Sequence, residues 1–205
     1  MYSPLTESLI KALKALPGVG PKSAQRMAFE ILNKKRSAAR ELAIALELAT
    51  EKVKHCAICR YWTESDNCHI CSNPKRNSSM LCIVEGPSDV LAIEQTHAFN
   101  GHYFVLHGKL SPMDGLGPEQ LSFPQLKRHA ANYQEIIIAL SPSLEAEATA
   151  HFIIESLRDL PVKCTRIAHG IPMGGELDYL DGNTVAKAFN ERVFVKTEES
   201  LDETY

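Results

Sequence analysis

No stretch of this 205-residue chain approaches the roughly eighteen consecutive apolar residues that a membrane-spanning helix needs. The opening residues, MYSPLTESLIKALKALPG, carry lysines inside their apolar pattern, which excludes the unbroken apolar stretch of a secretory signal. Neither H-E-x-x-H nor G-x-S-x-G occurs, so the signatures of zinc proteases and of serine-elbow hydrolases are missing. GPKS, Gly20 to Ser23, looks like the end of a phosphate-binding loop, but Pro21 interrupts the required Gly-Lys-Ser and no strand precedes it. The chain also lacks internal repeats and low-complexity tracts. With 44% hydrophobic and 23% charged residues, it has the composition of a soluble globular protein, long enough for one ordinary domain plus one or two small modules. The expected compartment is a reducing cytoplasm, where six cysteines serve as ligands or packing groups rather than disulfides.

The net charge of −3 conceals an asymmetry. Residues 1–76 hold 13 Lys+Arg against 7 Asp+Glu, and residues 77–205 hold 9 against 18. Two differently solvated surfaces would account for this, as would a basic, nucleic-acid-facing front half joined to an acidic rear half.

Periodicity changes at the same place. Leu5, Leu9, Ala12, Leu13 and Leu16 follow helical spacing, as do Ala24, Met27, Ala28, Ile31 and Leu32, and then Leu42, Leu46, Ala49 and Val53. This all-helical third is too small to have much core of its own. Beyond the polar link SNPKRNSS (72–79), LCIVE (81–85), YFVL (103–106), EIIIAL (135–140) and VKCTRIA (162–168) read as short buried strands. Helical stretches lie between them, at about 88–96, 118–131 and 144–158. Strands alternating with helices predict a parallel sheet covered on both faces. Cys82 and Cys164 lie within two of the strands as small core residues.

Between the two halves, CAICRYWTESDNCHIC places Cys56, Cys59, Cys68 and Cys71 as two C-x2-C pairs separated by eight residues. Such pairs close a tetrahedral thiolate shell around Zn²⁺. With four protein ligands no position remains for water, so the metal is structural, and its binding helps to fold a segment too short to fold alone. Disulfides or a redox C-x-x-C are the alternatives. His55 and His69 stand beside the motif as bystanders. LPGVGPKSAQRMA, Leu16 to Ala28, joins the first two helices. Gly18 and Gly20 permit a tight turn that leaves backbone N–H groups uncovered at a helix start, a ready phosphate site. Lys22 and Arg26, four apart, can reach one DNA backbone. A plain turn with solvated charges is the alternative.

Taken together and in order, LPGVGPKSAQRMAF (16–29), the four-cysteine module, SNPKR (72–76), VEGPSDVLAIEQT (84–96), YFVLHGKLSPMDGLGPEQL (103–121) and RIAHGIPMGGELDYLD (166–181) resemble the bacterial recombination mediator family RecR. The resemblance covers about residues 4–195. It implies a multi-domain α/β protein: a helix-hairpin-helix over 1–54, a four-cysteine zinc finger over 55–72, a Toprim domain with a Rossmann-like parallel sheet over 79–174, and a C-terminal closing segment over 175–205 with an acidic tail. It also implies a DNA-repair accessory that works with RecO and RecF to load RecA onto gapped or single-stranded DNA. A ring-like homo-oligomer belongs to the same expectation.

Toprim enzymes carry a glutamate after the first strand and an Asp-x-Asp pair after a later one, because Mg²⁺ requires converging carboxylate oxygens. Here Glu85 holds the first place and Asp89 follows one helical turn on, but the pair is replaced by Ser141-Pro142-Ser143. Glu145 and Glu147 lie two apart on a helix and cannot both substitute. The RecR family usually has Asn-Pro-x-x-Glu-Gly-Glu here. This chain departs further, with Ser141 and Ala146. The expectation is therefore a non-enzymatic DNA-binding mediator. In it Glu85, Asp89, Glu145 and Glu147 form an acidic patch for a basic partner or a weakly held divalent ion, or else an ordinary solvated edge. The rivals are a Mg²⁺-dependent Toprim nuclease and a protein-only adaptor. Gly174 and Gly175, before Glu176, Asp178 and Asp181, are assigned to domain closure or subunit contact, and His107 and His169 lack an evident acid–base partner.

Overall fold

The computed structural model describes residues 2–168, 170, 171, 174 and 176–190. His169, Gly175 and the acidic tail lie outside them. The chain divides into two units, residues 1–54 and 55–205.

The first unit is helical: α1 (Pro4–Lys14), α2 (Pro21–Lys34) and α3 (Arg36–Lys52). Ser3 caps α1 by accepting from the Thr6 N–H, and Glu7 near its start with Lys11 and Lys14 near its end complement the helix dipole. Only Ala24 and Ala28 of α2 are fully buried, and no residue of α1 or α3 is. Leu42, Ile44, Leu46 and Leu48 of α3 all remain exposed.

A two-stranded ribbon, β1 (Lys54–His55) with β2 (Trp62–Thr63), comes next in the chain and brackets the first cysteine pair. The main sheet follows: β3 (Met80–Val84), α4 (Pro87–Thr96), β4 (His102–Val105), α5 (Phe123–Ala130), β5 (Glu135–Ala139), α6 (Leu144–Leu157), β6 (Lys163–Arg166) and, after one 3-10 turn, α7 (Gly182–Asn190). The strands run in the order β4-β3-β5-β6, every pairing parallel. The predicted helix at 118–131 begins later. Residues 118–122 form turns, Ser122 adopts a left-handed φ of 57°, and Pro124, lacking an N–H, cannot carry a helix across that point. The link at 72–79 is anchored rather than loose: the Arg76 guanidinium forks onto Glu94 at 2.7 and 3.0 Å and donates through Nε to the Gly101 carbonyl at 2.9 Å.

Alternation along each strand sorts the core into two layers. Leu81, Ile83, Phe104, Ile136 and Ile138 pack with Leu126, Ile153 and Leu157 of α5 and α6. Cys82, Val84, Tyr103, Val105 and Ala139 face the other way, onto Val90 of α4 and Cys56, Cys59, Cys68 and Ile70 of the cysteine module. The module thus covers one face of the sheet. Cys82 is a core thiol, pushed up to about 12 by burial, and Cys164 packs at the rim of the first layer.

Candidate functional site

The four cysteines converge. Cys56, Cys59 and Cys68 are buried and Cys71 half-buried, all are free thiols, and one Sγ of each lies within 4.8 Å of the rest. Sulfur atoms at the corners of a Zn–S tetrahedron stand about 3.8 Å apart, so the set fits zinc. The Cys68 N–H donates to Cys56 Sγ at 3.3 Å and the Tyr61 N–H to Cys59 Sγ at 3.4 Å, which favours thiolates. Four thiolates cannot coexist here without a cation. A proton shared between Cys59 and Cys68, 3.4 Å apart, raises the Cys59 pKa and lowers that of Cys68. A structural Zn²⁺ resolves that conflict, and no position remains for substrate. Neither His55, stacked on His107 with centroids 4.2 Å apart, nor His69, edge-on to Tyr61, belongs to the cluster.

Arg60, which sequence reasoning passed over, joins this centre to the sheet. Its left-handed φ of 65° closes the first cysteine turn, with its N–H donating to the Cys56 carbonyl at 3.0 Å. Its guanidinium Nη1 donates to the carbonyls of Val105, Leu106 and Leu121 at 3.2, 3.0 and 3.1 Å and lies over the Phe104 ring. The Val105 N–H donates to the Cys59 carbonyl at 2.8 Å. The edge of β4 is thereby capped by the cysteine module. His107 contributes as well, with Nε2 2.7 Å from the Arg60 carbonyl.

In the helical unit, Gly18 takes a φ of +76°, a conformation that L side chains resist. Gly20 is the N-cap of α2, Pro21 opens the helix, and no side chain caps its first N–H groups. Lys22 and Arg26 line one shallow groove of about 410 Å³ with Gln25, Phe29, Glu30, Asn33 and Lys34, where Glu30 lies 4.0 Å from the Lys34 ammonium. The two predicted cations therefore share one surface beside the exposed helix start.

At the carboxyl end of the parallel strands, the predicted acids are placed near one another but differ in what they do. Glu85 Oε1 accepts from the Ser141 N–H at 2.6 Å, and Oε2 lies 3.6 Å from the Lys109 ammonium. That ammonium also donates to Ser143 Oγ at 3.3 Å. Asp89 accepts from the Gly86 N–H at 2.8 Å and so closes the N-terminus of α4. Ser143 caps α6. Glu145 is exposed, with its pKa lowered by backbone and Ser143 hydrogen bonds and by Lys109. Glu147 points elsewhere: Arg166 forks onto it at 2.8 and 2.9 Å and Lys187 reaches it at 2.7 Å, which holds its carboxyl down at about 2. Lys109, Arg166 and Lys187 had no signal of their own in the sequence. Only the strand-end rule, applied to the residues just after YFVL as it was to those after LCIV, would have drawn attention to Lys109.

Comparison with known proteins follows this layout. Family models match for RecR, helix-hairpin-helix over residues 6–50, the RecR four-cysteine zinc finger domain over 53–73, a Toprim domain over 79–168 and the RecR C-terminal region over 170–193. "Recombination protein RecR" of Coxiella burnetii is 51% identical over 199 residues, spanning 96% of this chain and 99% of that protein. The chain belongs to the RecR family. Its counterpart in Legionella pneumophila strain Philadelphia 1, also named recombination protein RecR, is 50% identical over 189 residues, 91% of this chain and 95% of that one. Family membership makes this a recombination protein with a role in recombination repair, built from a helix-hairpin-helix, a structural zinc finger and a Toprim domain. Among the described residues no helix is long and apolar enough to cross a membrane.

Proposed function

We propose that this RecR-family chain is a non-enzymatic, sequence-independent DNA-binding mediator. On this reading it acts with RecO and RecF in the cytoplasm, at the nucleoid, to load RecA onto gapped or single-stranded DNA. The observation that carries the reading is the shared groove of Lys22 and Arg26 beside the uncapped start of α2 and the Gly18–Gly20 turn. Helix-start N–H groups and two cations on one surface hold phosphates without reading bases. Absence of catalysis is supported by the strand end, where Asp89 is engaged as a helix cap and Lys109 lies against Glu85. The exposed Glu145 is then the member of the acidic patch best placed to meet a basic partner. The exposed apolar residues of α3 support self-association through the helical unit, as does a second groove of about 600 Å³, whose apolar floor of Leu13, Leu16, Met27, Ile31 and Leu42 is rimmed by Arg26, Glu30 and Lys35.

Zinc-loaded protein incubated with gapped circular plasmid, with and without Mg²⁺, tests the central claim on one gel. Retarded DNA with intact strands is expected. Mg²⁺-dependent breaks abolished by Glu85→Ala would establish a nuclease instead. The double variant Lys22→Ala, Arg26→Ala should bind DNA about tenfold more weakly at 0.1 M salt, with a salt slope smaller by about 2 and zinc content unchanged. Unaltered affinity would move the DNA site elsewhere, and salt-insensitive or absent binding by the parent protein would favour a protein-only adaptor. Charge reversal at Glu145 and Glu147 should weaken RecO or RecF binding, and unchanged binding would remove the docking role.

A further inference from the structure

The carboxyl ends of parallel strands are where α/β sheets gather their ligands. In this sheet that place holds a carboxylate, Glu85, at the end of β3, and a hydroxyl, Ser143, beyond the end of β5. Between them stands one ammonium: Lys109 Nζ is 3.6 Å from Glu85 Oε2 and 3.3 Å from Ser143 Oγ. Its position is built in from both sides. The Gly108 N–H donates to the Glu85 carbonyl at 3.1 Å, and the Leu110 N–H donates to Thr149 Oγ1 at 2.9 Å. Thr149 is fully buried, and its hydroxyl donates a hydrogen bond to the Glu145 carbonyl at 2.6 Å. Gly108 has a φ of +151°, a conformation that L side chains rarely adopt, so the approach of this segment to the strand ends favours glycine. A surface lysine with a freely chosen ion-pair partner would show none of this scaffolding.

We propose that Lys109 is the internal cation of the Toprim domain: its ammonium occupies the place between Glu85 and Ser143 that an oxygen-ligated divalent ion would take, and holds the strand-end loops together without metal. A lysine at that position offers one charge and directional N–H donors, where Mg²⁺ or Mn²⁺ would offer two charges and demand more oxygens. With the ammonium present, a divalent ion meets a positive charge on its approach to Glu85. With it removed, Glu85, Ser143 and the nearby Glu145 are left as hard oxygen donors around an unneutralised carboxylate.

The test uses the full-length zinc-loaded protein and Mn²⁺ as probe, read by water-proton relaxation, with thermal melts in Mg²⁺ alongside. Wild type should bind Mn²⁺ only weakly, and its melting midpoint should not respond to millimolar Mg²⁺. Lys109→Met should bind Mn²⁺ at least about tenfold more tightly, a difference that counts as one decade in the dissociation constant. It should also melt lower by a few degrees, roughly 2–4 °C, and recover that loss in Mg²⁺. Adding Glu85→Gln should erase the gain in Mn²⁺ affinity, while Lys109→Arg, which keeps the charge, should remain insensitive to the ion. Lys109→Met that gains no affinity, or whose loss of stability Mg²⁺ leaves uncorrected, overturns the proposal. So does a wild-type melt that already rises with Mg²⁺, an arm that decides the matter even if the methionine variant fails to fold.

Discussion

The cysteine centre and the strand end of the sheet unit both gather negative charge, and they differ in where the balancing cation comes from. Four sulfurs within 4.8 Å of one another cannot all ionise unless a cation is supplied from outside the chain. At the strand end Glu85 lies 3.6 Å from Lys109, and Glu147 lies 2.8 and 2.7 Å from Arg166 and Lys187, so the chain provides the cations itself. The difference follows from burial. The thiols form part of the layer that covers one face of the sheet, where a lysine chain and its hydration would not fit. The carboxylates sit at a half-open rim, where partly solvated ion pairs cost little to form. One centre is therefore an obligate part of the core, and the other contributes local order.

Removing the metal should have the largest effect. Structural zinc sites contribute on the order of 10 kcal/mol to the segments they fold. Chelation, or Cys59→Ser, should unfold the cysteine module and expose the sheet face beneath it. Trp62 on β2 is already 56% exposed, so the change is better read by the binding of an apolar dye to the uncovered sheet face. Unchanged dye binding after complete zinc loss would contradict the role in the core.

Arg60→Met sharpens the contrast by cutting the module from the sheet with its ligands intact. Three carbonyls lose a buried charged donor, at a cost of about 2–4 kcal/mol. Denaturant unfolding should record that loss while zinc stoichiometry stays at one per chain. Zinc loss in parallel would mean that Arg60 holds the ligand turn rather than the junction.

The smallest effect belongs to Glu147. Its carboxyl is lowered from 4.5 to about 2 in the folded protein by Arg166 and then Lys187, so its contribution is fully present above about pH 4.5 and is lost as pH falls toward 2. Because its side chain is 33% exposed, solvent screening limits that contribution to about 1 kcal/mol. The stability difference between wild type and Glu147→Gln should shrink over that acid window and be constant above it. A difference that grows on acidification would reverse the assigned sign.

Much of this is legible in the amino-acid sequence. The C-x2-C pairs specify their own ligand set, because a two-residue spacer turns both thiolates to one side whatever lies around them. The three strands β3, β4 and β5 announced themselves as apolar runs, and Glu85 was found because a strand end follows such a run. VKCTRIA, read as a buried strand, instead forms the edge strand β6 with no buried residue, because only one side of it is paired. The helix at 118–131 was misplaced because helical apolar spacing does not register the left-handed Ser122 or the missing N–H of Pro124. Arg60 and Arg76 read as ordinary basic residues near a DNA-binding module, yet both are held by partners distant in sequence: Leu121 for one, Glu94 and Gly101 for the other.

Local chemistry, then, is what the amino-acid order determined by itself: which residues can ligate zinc, where the glycine turn lies, which segments must be buried, and that no aspartate pair follows β5. Whether a charge is free or satisfied was decided by tertiary structure alone. Lys109 meets Glu85 and Ser143 across 24 and 34 residues of chain only because β4, β3 and β5 lie side by side in parallel and release their next residues at one edge. An ion pair is a property of distance in space, and spacing along the chain carries no record of it once a sheet has intervened.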